Sequence, residues 1–246
     1  MKENLLNNFT TTIGQTTIKN FRHHPQLSNG VHTLLTKLRQ KETRLAEYRQ
    51  ITRIIYESFI LPEILEILPK KTIEIITGNN AAYIGSSFDS PAFELTLIDI
   101  PRAGTYPTEI IMDKLLEILP SSSIQKGVVD VKRIENPGQP LTHDVKRIVL
   151  PKNLSNPHLI ITDPMLATGG SYGAVITELK KHLASVPCVF LGAVISAPEG
   201  ILSVAQTLNT FTRRSIIISF DIDPSLDEKK YIVPGLGDFG DRLYFY

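Results

Sequence analysis

The chain has 246 residues, 42% of them hydrophobic and 21% charged, with a formal net charge of +1. That composition belongs to a globular protein able to bury one α/β core, and it excludes the global basic field that nucleic acid or an acidic membrane surface would need. The lone Cys188 lies in the apolar run Cys188-Val189-Phe190-Leu191 and excludes an intramolecular disulfide. With no run of membrane-spanning length and no secretory apolar core at the start, a cytoplasmic location is expected.

In chain order, residues 1–20 are polar and rich in Thr and Asn, and read as a flexible or loosely docked arm before a single domain over 21–246. Leu34, Leu35 and Leu38, then Leu45, Tyr48, Ile51, Ile55 and Phe59, recur at helical spacing, with the charged patch 39–44 at a joint. Pro62 opens a short helix through Leu68. Runs at 73–77, 93–100, 127–131, 158–162, 188–195 and 215–220 read as strands, and 107–119, 170–183 and 199–208 as helices. Pro107 and Glu199 suit first turns. Apolar strands alternating with helices predict an α/β fold, a mostly parallel sheet flanked by helices behind a helical N-terminal segment. Residues 131–156 are polar and irregular. They predict a small lid or a hairpin, with strands near 131–134 and 146–150 and a turn at Pro137-Gly138.

Two runs carry chemistry. In the first, Ile160-Ile161-Thr162-Asp163-Pro164-Met165-Leu166-Ala167-Thr168-Gly169-Gly170-Ser171, a buried strand ends in a carboxylate. A small-residue loop then opens a helix carrying Ala174, Val175 and Leu179. Asp163 can accept hydrogen bonds from vicinal ribose hydroxyls. The glycines permit positive φ and close approach, and the N–H groups of the turn, with Thr168 and Ser171, face a phosphate at a helix N-terminus. The second run, Tyr231-Ile232-Val233-Pro234-Gly235-Leu236-Gly237-Asp238-Phe239-Gly240-Asp241-Arg242, has too many glycines for a strand and too little polarity for a tail.

Together, and in this order, the two runs resemble the uracil phosphoribosyltransferases, with weaker similarity from about Pro25 to Arg242. The resemblance implies the type I phosphoribosyltransferase fold and a transfer from 5-phospho-α-D-ribose 1-diphosphate (PRPP) to uracil, giving UMP and diphosphate. It assigns the donor to Arg102, Arg133, Asp163, Pro164, Met165, Leu166, Ala167, Thr168, Gly169, Gly170, Ser171 and Asp238. Uracil falls to the main chain around Ile232 and the Gly237-Asp238-Phe239 turn. Fixed N–H and C=O groups there match the acceptor–donor–acceptor edge of uracil and leave the amino group of cytosine without an acceptor. Mg²⁺ is expected with the donor diphosphate, a homodimer or higher homo-oligomer is expected, and some relatives respond to GTP.

The chain departs from the family pattern in two places. Arg102 lies in Ile98-Asp99-Ile100-Pro101-Arg102-Ala103-Gly104, where Pro101 replaces a leucine and Thr105-Tyr106-Pro107 replaces small and apolar residues. Taken alone it reads equally as a surface arginine. The Ile100–Pro101 bond is a candidate for cis. Arg133, a short way before Pro140, matches a phosphate-closing arginine, but Thr142-His143-Asp144 stands where the family places a tyrosine. Ala197-Pro198-Glu199-Gly200 reads as a structural helix start. Asp221 and Asp223 read as turn residues sooner than a metal pair, and the histidines lack zinc spacing. No side chain stands out as a general base. Two alternatives to the enzyme stay open: a transferase of altered base choice or weak activity, and a non-catalytic regulator that binds UMP or the donor.

Overall fold

A computed structural model describes residues 1–134, 142–152, 154, 157–183 and 186–244. In chain order the elements are α1 (Lys2–Asn7), β1 (Thr10–Ile13), β2 (Thr16–Asn20), α2 (Ser28–Arg39), α3 (Leu45–Ile55) and α4 (Leu61–Glu66). There follow β3 (Lys70–Ile76), β4 (Ala82–Phe88), β5 (Leu95–Asp99), α5 (Thr105–Ile118), β6 (Ile124–Ile134) and β7 (Thr142–Val149). The rest are β8 (His158–Thr162), β9 (Met165–Leu166), α6 (Gly170–Leu179), β10 (Val189–Ser196), α7 (Pro198–Leu208), β11 (Ser215–Ile222), β12 (Ser225–Leu226), β13 (Ile232–Val233) and α8 (Phe239–Tyr244).

The main sheet runs β1-β2-β11-β10-β8-β5-β6-β7, with β9 added beside β10. All pairings from β2 to β6 are parallel, and the β1 and β7 edges are antiparallel. The strands β5, β8, β10 and β11 are apolar almost throughout because helices cover both faces. One apolar layer joins α2, α3, α4 and α5 through residues such as Leu35, Ile51, Ile64 and Ile111. The opposite layer joins α6 and α7 through Val175, Leu179, Ile201 and Leu208. The chain leaves β5 toward β6 and leaves β8 in the other direction, toward β10 and β11. Strand order therefore reverses between β5 and β8, and a crevice opens beyond their carboxyl ends. No helix among the described residues is long and apolar enough to cross a membrane.

Three expectations need correction. The opening arm is built into the sheet: β2 lies parallel to β11, with Ile18 opposite Ile217, and Leu5 and Ile18 are each 1% exposed. Alternation along Thr16–Asn20 sends every second side chain inward, a β pattern that the Thr and Asn content disguised. The run at 73–77 is a strand, as expected, but not one of the main sheet. Its strand, β3, pairs only with β4 in a separate hairpin whose faces are largely exposed, Ile76 and Ile84 being 66% and 72% accessible. The Ile100–Pro101 bond is not the cis one; among the described residues the cis bonds are Pro101–Arg102 and Val233–Pro234. The hairpin expected after Val131 is present as β6 and β7, while Pro137-Gly138 and Pro140 lie outside the described residues.

If the opening hairpin is integral, Ile18→Ala leaves a cavity costing about 2–5 kcal/mol, and Tm falls by roughly 5–15 °C in a chain of this size. A loosely docked arm would leave the thermal transition unmoved.

Candidate functional site

The site begins where β5 and β8 end side by side. Thr108, in the first turns of α5, and Thr162, the last residue of β8, share a buried hydroxyl hydrogen bond of 2.8 Å. Between them sits Gly104: a Cβ built there would lie 2.6 Å from both the Ile100 and Thr162 carbonyl oxygens. No other residue lets the 100–104 turn lie this close to β8. The turn leaves Arg102 exposed at the rim, its carbonyl reached by the Tyr244 hydroxyl at 3.4 Å. Asp99, at the end of β5, is buried and committed to Thr105 Oγ1 at 2.9 Å and Lys126 Nζ at 3.1 Å.

Asp163 follows β8 directly. Its Oδ1 accepts the Met165 amide at 3.1 Å, and its backbone carbonyl accepts the Tyr172 hydroxyl at 2.8 Å. Burial pushes the Asp163 carboxyl up to about 7; the Met165 amide opposes the rise and the Asp238 charge adds to it. The loop then turns at Gly169, whose φ of +81° lies in the left-handed region, and enters α6 at Gly170. The Gly170 amide donates to Thr168 Oγ1 at 3.3 Å. The same loop is backed by α7. A Cβ on Gly200 would stand 2.4 Å from the Ala167 carbonyl oxygen, so the Ala197-Pro198-Glu199-Gly200 turn supports the site through close packing.

The β6–β7 hairpin closes one side. Arg133 and His143 are direct partners across it. The His143 ring lies against Gly170, so close that a Cβ there would overlap it. Burial, and then the Arg133 charge, lower the His143 pKa from its ordinary value. Arg133 reaches the segment before β13, donating from Nη2 to the Lys229 carbonyl at 3.1 Å, with the Tyr231 ring 5.6 Å away. The opposite wall comes from Ile232 and the turn into α8, where Asp238 Oδ1 caps the helix by accepting the Asp241 amide at 2.8 Å. Phe239 is buried there against Tyr48, ring centroids 5.1 Å apart.

These walls enclose a cleft of about 210 Å³ lined by Asp163, Met165, Ala167, Thr168, Gly169, Gly170, Ser171, Ile232, Gly237, Asp238 and Phe239, with Arg133 and His143 at its edge. An adjoining recess of about 620 Å³ takes in Arg102, Lys132, Arg133 and Lys146. Ala103, Arg133, Asp163, Ser171, Asp238 and Gly240 line both, so the two adjoin. The residues singled out from sequence converge, apart from Pro164 and Leu166, which are buried behind the loop and tie it to β10 and α7 through their carbonyls. Tyr172 and Lys146 were missed. Tyr172 sits at an unremarkable helical position, and Lys146 reaches the recess only through the hairpin register. Asp221 and Asp223 bind arginines instead of forming a metal pair, and no three His, Cys, Asp or Glu side chains converge among the described residues.

The family model for uracil phosphoribosyltransferase matches residues 24–245. The chain belongs to this family. The uracil phosphoribosyltransferase of Dictyoglomus thermophilum is 37% identical over 210 residues, covering 85% of this chain and 92% of that one. Uracil phosphoribosyltransferase 1 of Schizosaccharomyces pombe is 32% identical over 222 residues, covering 89% and 91%. Among solved structures, the AQ2163 protein of Aquifex aeolicus superposes with a TM-score of 0.70 at 27% identity, over 92% of this chain and 97% of that chain. The adenine phosphoribosyltransferase of Trypanosoma brucei, at TM-score 0.51 and 10% identity, shares the fold.

The contact at Gly104 makes a direct expectation. Gly104→Ala drives two carbonyls apart and costs about 1–3 kcal/mol, whereas Gly173→Ala, inside α6 with nothing within 4 Å, is neutral or stabilising. Paired thermal melts check this; equal transitions would contradict the close approach.

Proposed function

We propose that the chain transfers the phosphoribosyl group of PRPP to uracil, releasing diphosphate and forming UMP, as a pyrimidine salvage step in the cytoplasm. The observation that carries this is the meeting of three different surfaces around two adjoining spaces with shared walls: the Asp163–Ser171 loop, the basic recess and the glycine-rich loop before α8. Each suits one part of the reactants. The amides around Thr168, Gly169 and Gly170 receive the 5′-phosphate at the start of α6. Asp163, ionised, accepts the ribose hydroxyls. Arg102 and Arg133, with Lys132 and Lys146 beside them, face the departing diphosphate and oppose its growing charge. The main chain around Ile232 and Gly237-Asp238-Phe239 reads the uracil edge.

The rate gain assigned to the protein comes from holding base and anomeric carbon in line and from answering diphosphate charge. The proton of uracil N1 passes to the departing diphosphate or to solvent, and no side chain is given it. Mg²⁺ enters as part of the donor complex. Asp163 and Asp238 line both parts of the cleft and are the carboxylates that the ion or its waters would meet, its contribution being neutralisation of diphosphate charge. A homo-oligomer belongs to the same proposal, supported by the exposed Ile75, Ile76, Tyr83 and Ile84 on β3 and β4.

The test follows radiolabelled uracil into UMP with PRPP and Mg²⁺, with and without GTP, beside cytosine, hypoxanthine and orotate. Uracil alone should turn over, and Asp163→Asn should lower kcat/KM for the donor by about 10² or more, since charged hydrogen bonds to two hydroxyls are lost. Only the ionised carboxylate accepts both hydroxyls. With its pKa raised to about 7, kcat/KM for the donor should fall roughly tenfold from pH 8 to pH 6 and flatten in Asp163→Asn. Binding of UMP or donor with no release of diphosphate would leave a regulator in place of the enzyme.

A further inference from the structure

The ion pairs at the end of β11 do not touch the cleft, yet they hold the loop that forms its base-facing wall. Asp221 and Asp223 are 0% and 1% exposed. Arg39, the last residue of α2, donates from Nη2 to Asp221 Oδ2 at 2.8 Å and to Asp223 Oδ1 at 2.7 Å, and from Nη1 to Asp223 Oδ2 at 2.9 Å. Arg22 adds a second cation on Asp221 Oδ2 at 2.9 Å. A solvated turn needs none of this, and burying two carboxylates against two arginines is a costly way to gain stability alone.

The remaining hydrogen bonds of the cluster go to the loop. Asp223 Oδ2 accepts the Gly235 amide at 2.8 Å, and Arg39 Nη1 donates to the Gly235 carbonyl at 2.6 Å. Arg242 donates from Nη1 to the Leu236 carbonyl at 2.8 Å, and binds the end of α2 through the Leu38 and Gln40 carbonyls, its guanidinium 4.4 Å from the Tyr48 ring. Three consecutive peptide groups, from 234 to 237, are thus each fixed by a charged side chain. They link Ile232 to the Gly237-Asp238-Phe239 turn.

We infer that Arg39 and Asp223 are positioning residues for base recognition: they set the orientation of the loop's amides and carbonyls before uracil arrives. This rests on the proposal that the loop takes the base. A wall that reads a ligand by main chain alone has no side chain to tune, so its selectivity depends on peptide planes being held from behind. The planar guanidinium of Arg39 bridges Asp221, Asp223 and the Gly235 carbonyl at once, and a lysine ammonium at the end of a flexible stem does not reproduce that fork.

The experiment measures steady-state kinetics of Arg39→Lys and Asp223→Asn with uracil and PRPP varied separately, beside hydrogen exchange of the Gly235 amide in the unliganded wild type. KM for uracil should rise at least about tenfold in both variants, the loss expected for charge-assisted hydrogen bonds, while KM for PRPP changes less than about twofold. In the wild type the Gly235 amide, held by Asp223 Oδ2, should already be protected without ligand. A purely structural role would lower the active fraction, hence kcat, and leave both KM values alone; that result overturns the inference. So does free-chain exchange of the Gly235 amide that slows only when uracil or UMP is added, a readout that stands even if a variant fails to fold. A wild type inactive with uracil would instead overturn the proposed function, and the exchange rates would still decide whether the loop is clamped.

Discussion

The close approach of β5 and β8 at their carboxyl ends is the constraint on which the site depends. Gly104 lies between the Ile100 and Thr162 carbonyls, and the Thr108–Thr162 hydroxyl pair pins α5 to β8 at the same point. Because strand order reverses there, the loops after the two strands diverge and leave a crevice that neither fills. The turn bearing Arg102 goes to one side and the loop from Asp163 to Ser171 to the other. Widening this junction by one methyl group would separate the turn bearing Arg102 from the loop of Asp163 to Ser171.

Charge is used in two opposite ways around the crevice. At Asp221 and Asp223 buried carboxylates are answered by Arg22 and Arg39, and the group acts as scaffold. At Asp163 burial dominates and the neighbouring charge that acts on it is Asp238, another carboxylate, so its pKa climbs to about 7. A carboxyl in that state is poised to gain from donors that a ligand brings, such as hydroxyls or a hydrated cation. The basic side chains gather in the adjoining recess instead, with Arg102, Lys132, Arg133 and Lys146 on its walls. This division sets the basic recess beside, and not upon, the Asp163 carboxyl.

Much of this was legible in the sequence because its signals are local. The apolar run into Asp163 with Gly169 and Gly170 behind it specifies a strand, a turn and a helix start within a dozen residues, and the alternation of apolar strands with helices specifies the parallel sheet. What was not legible depended on distant partners or on one-sided patterns. Arg39 and Asp223 meet across 184 positions, and nothing near either residue announces the other. The Thr-rich opening concealed a hairpin whose inward side chains on β2 are Thr16, Ile18 and Asn20, of which one alone is apolar. The run at 73–77 has the composition of a sheet strand, yet its partner is β4, and the pair stands apart from the sheet. His143 reached Gly170 through the β6–β7 register, which brings it opposite Arg133.

The most direct measurement is a crystal structure of the protein with UMP and diphosphate. The phosphate of UMP should sit on the amides of Thr168 to Ser171 and its ribose hydroxyls on Asp163. The uracil edge should face the main chain of Ile232 and Gly237 to Phe239, with diphosphate beside Arg102. UMP bound with its base away from the loop before α8, or with its phosphate off the start of α6, would contradict the single-cleft arrangement.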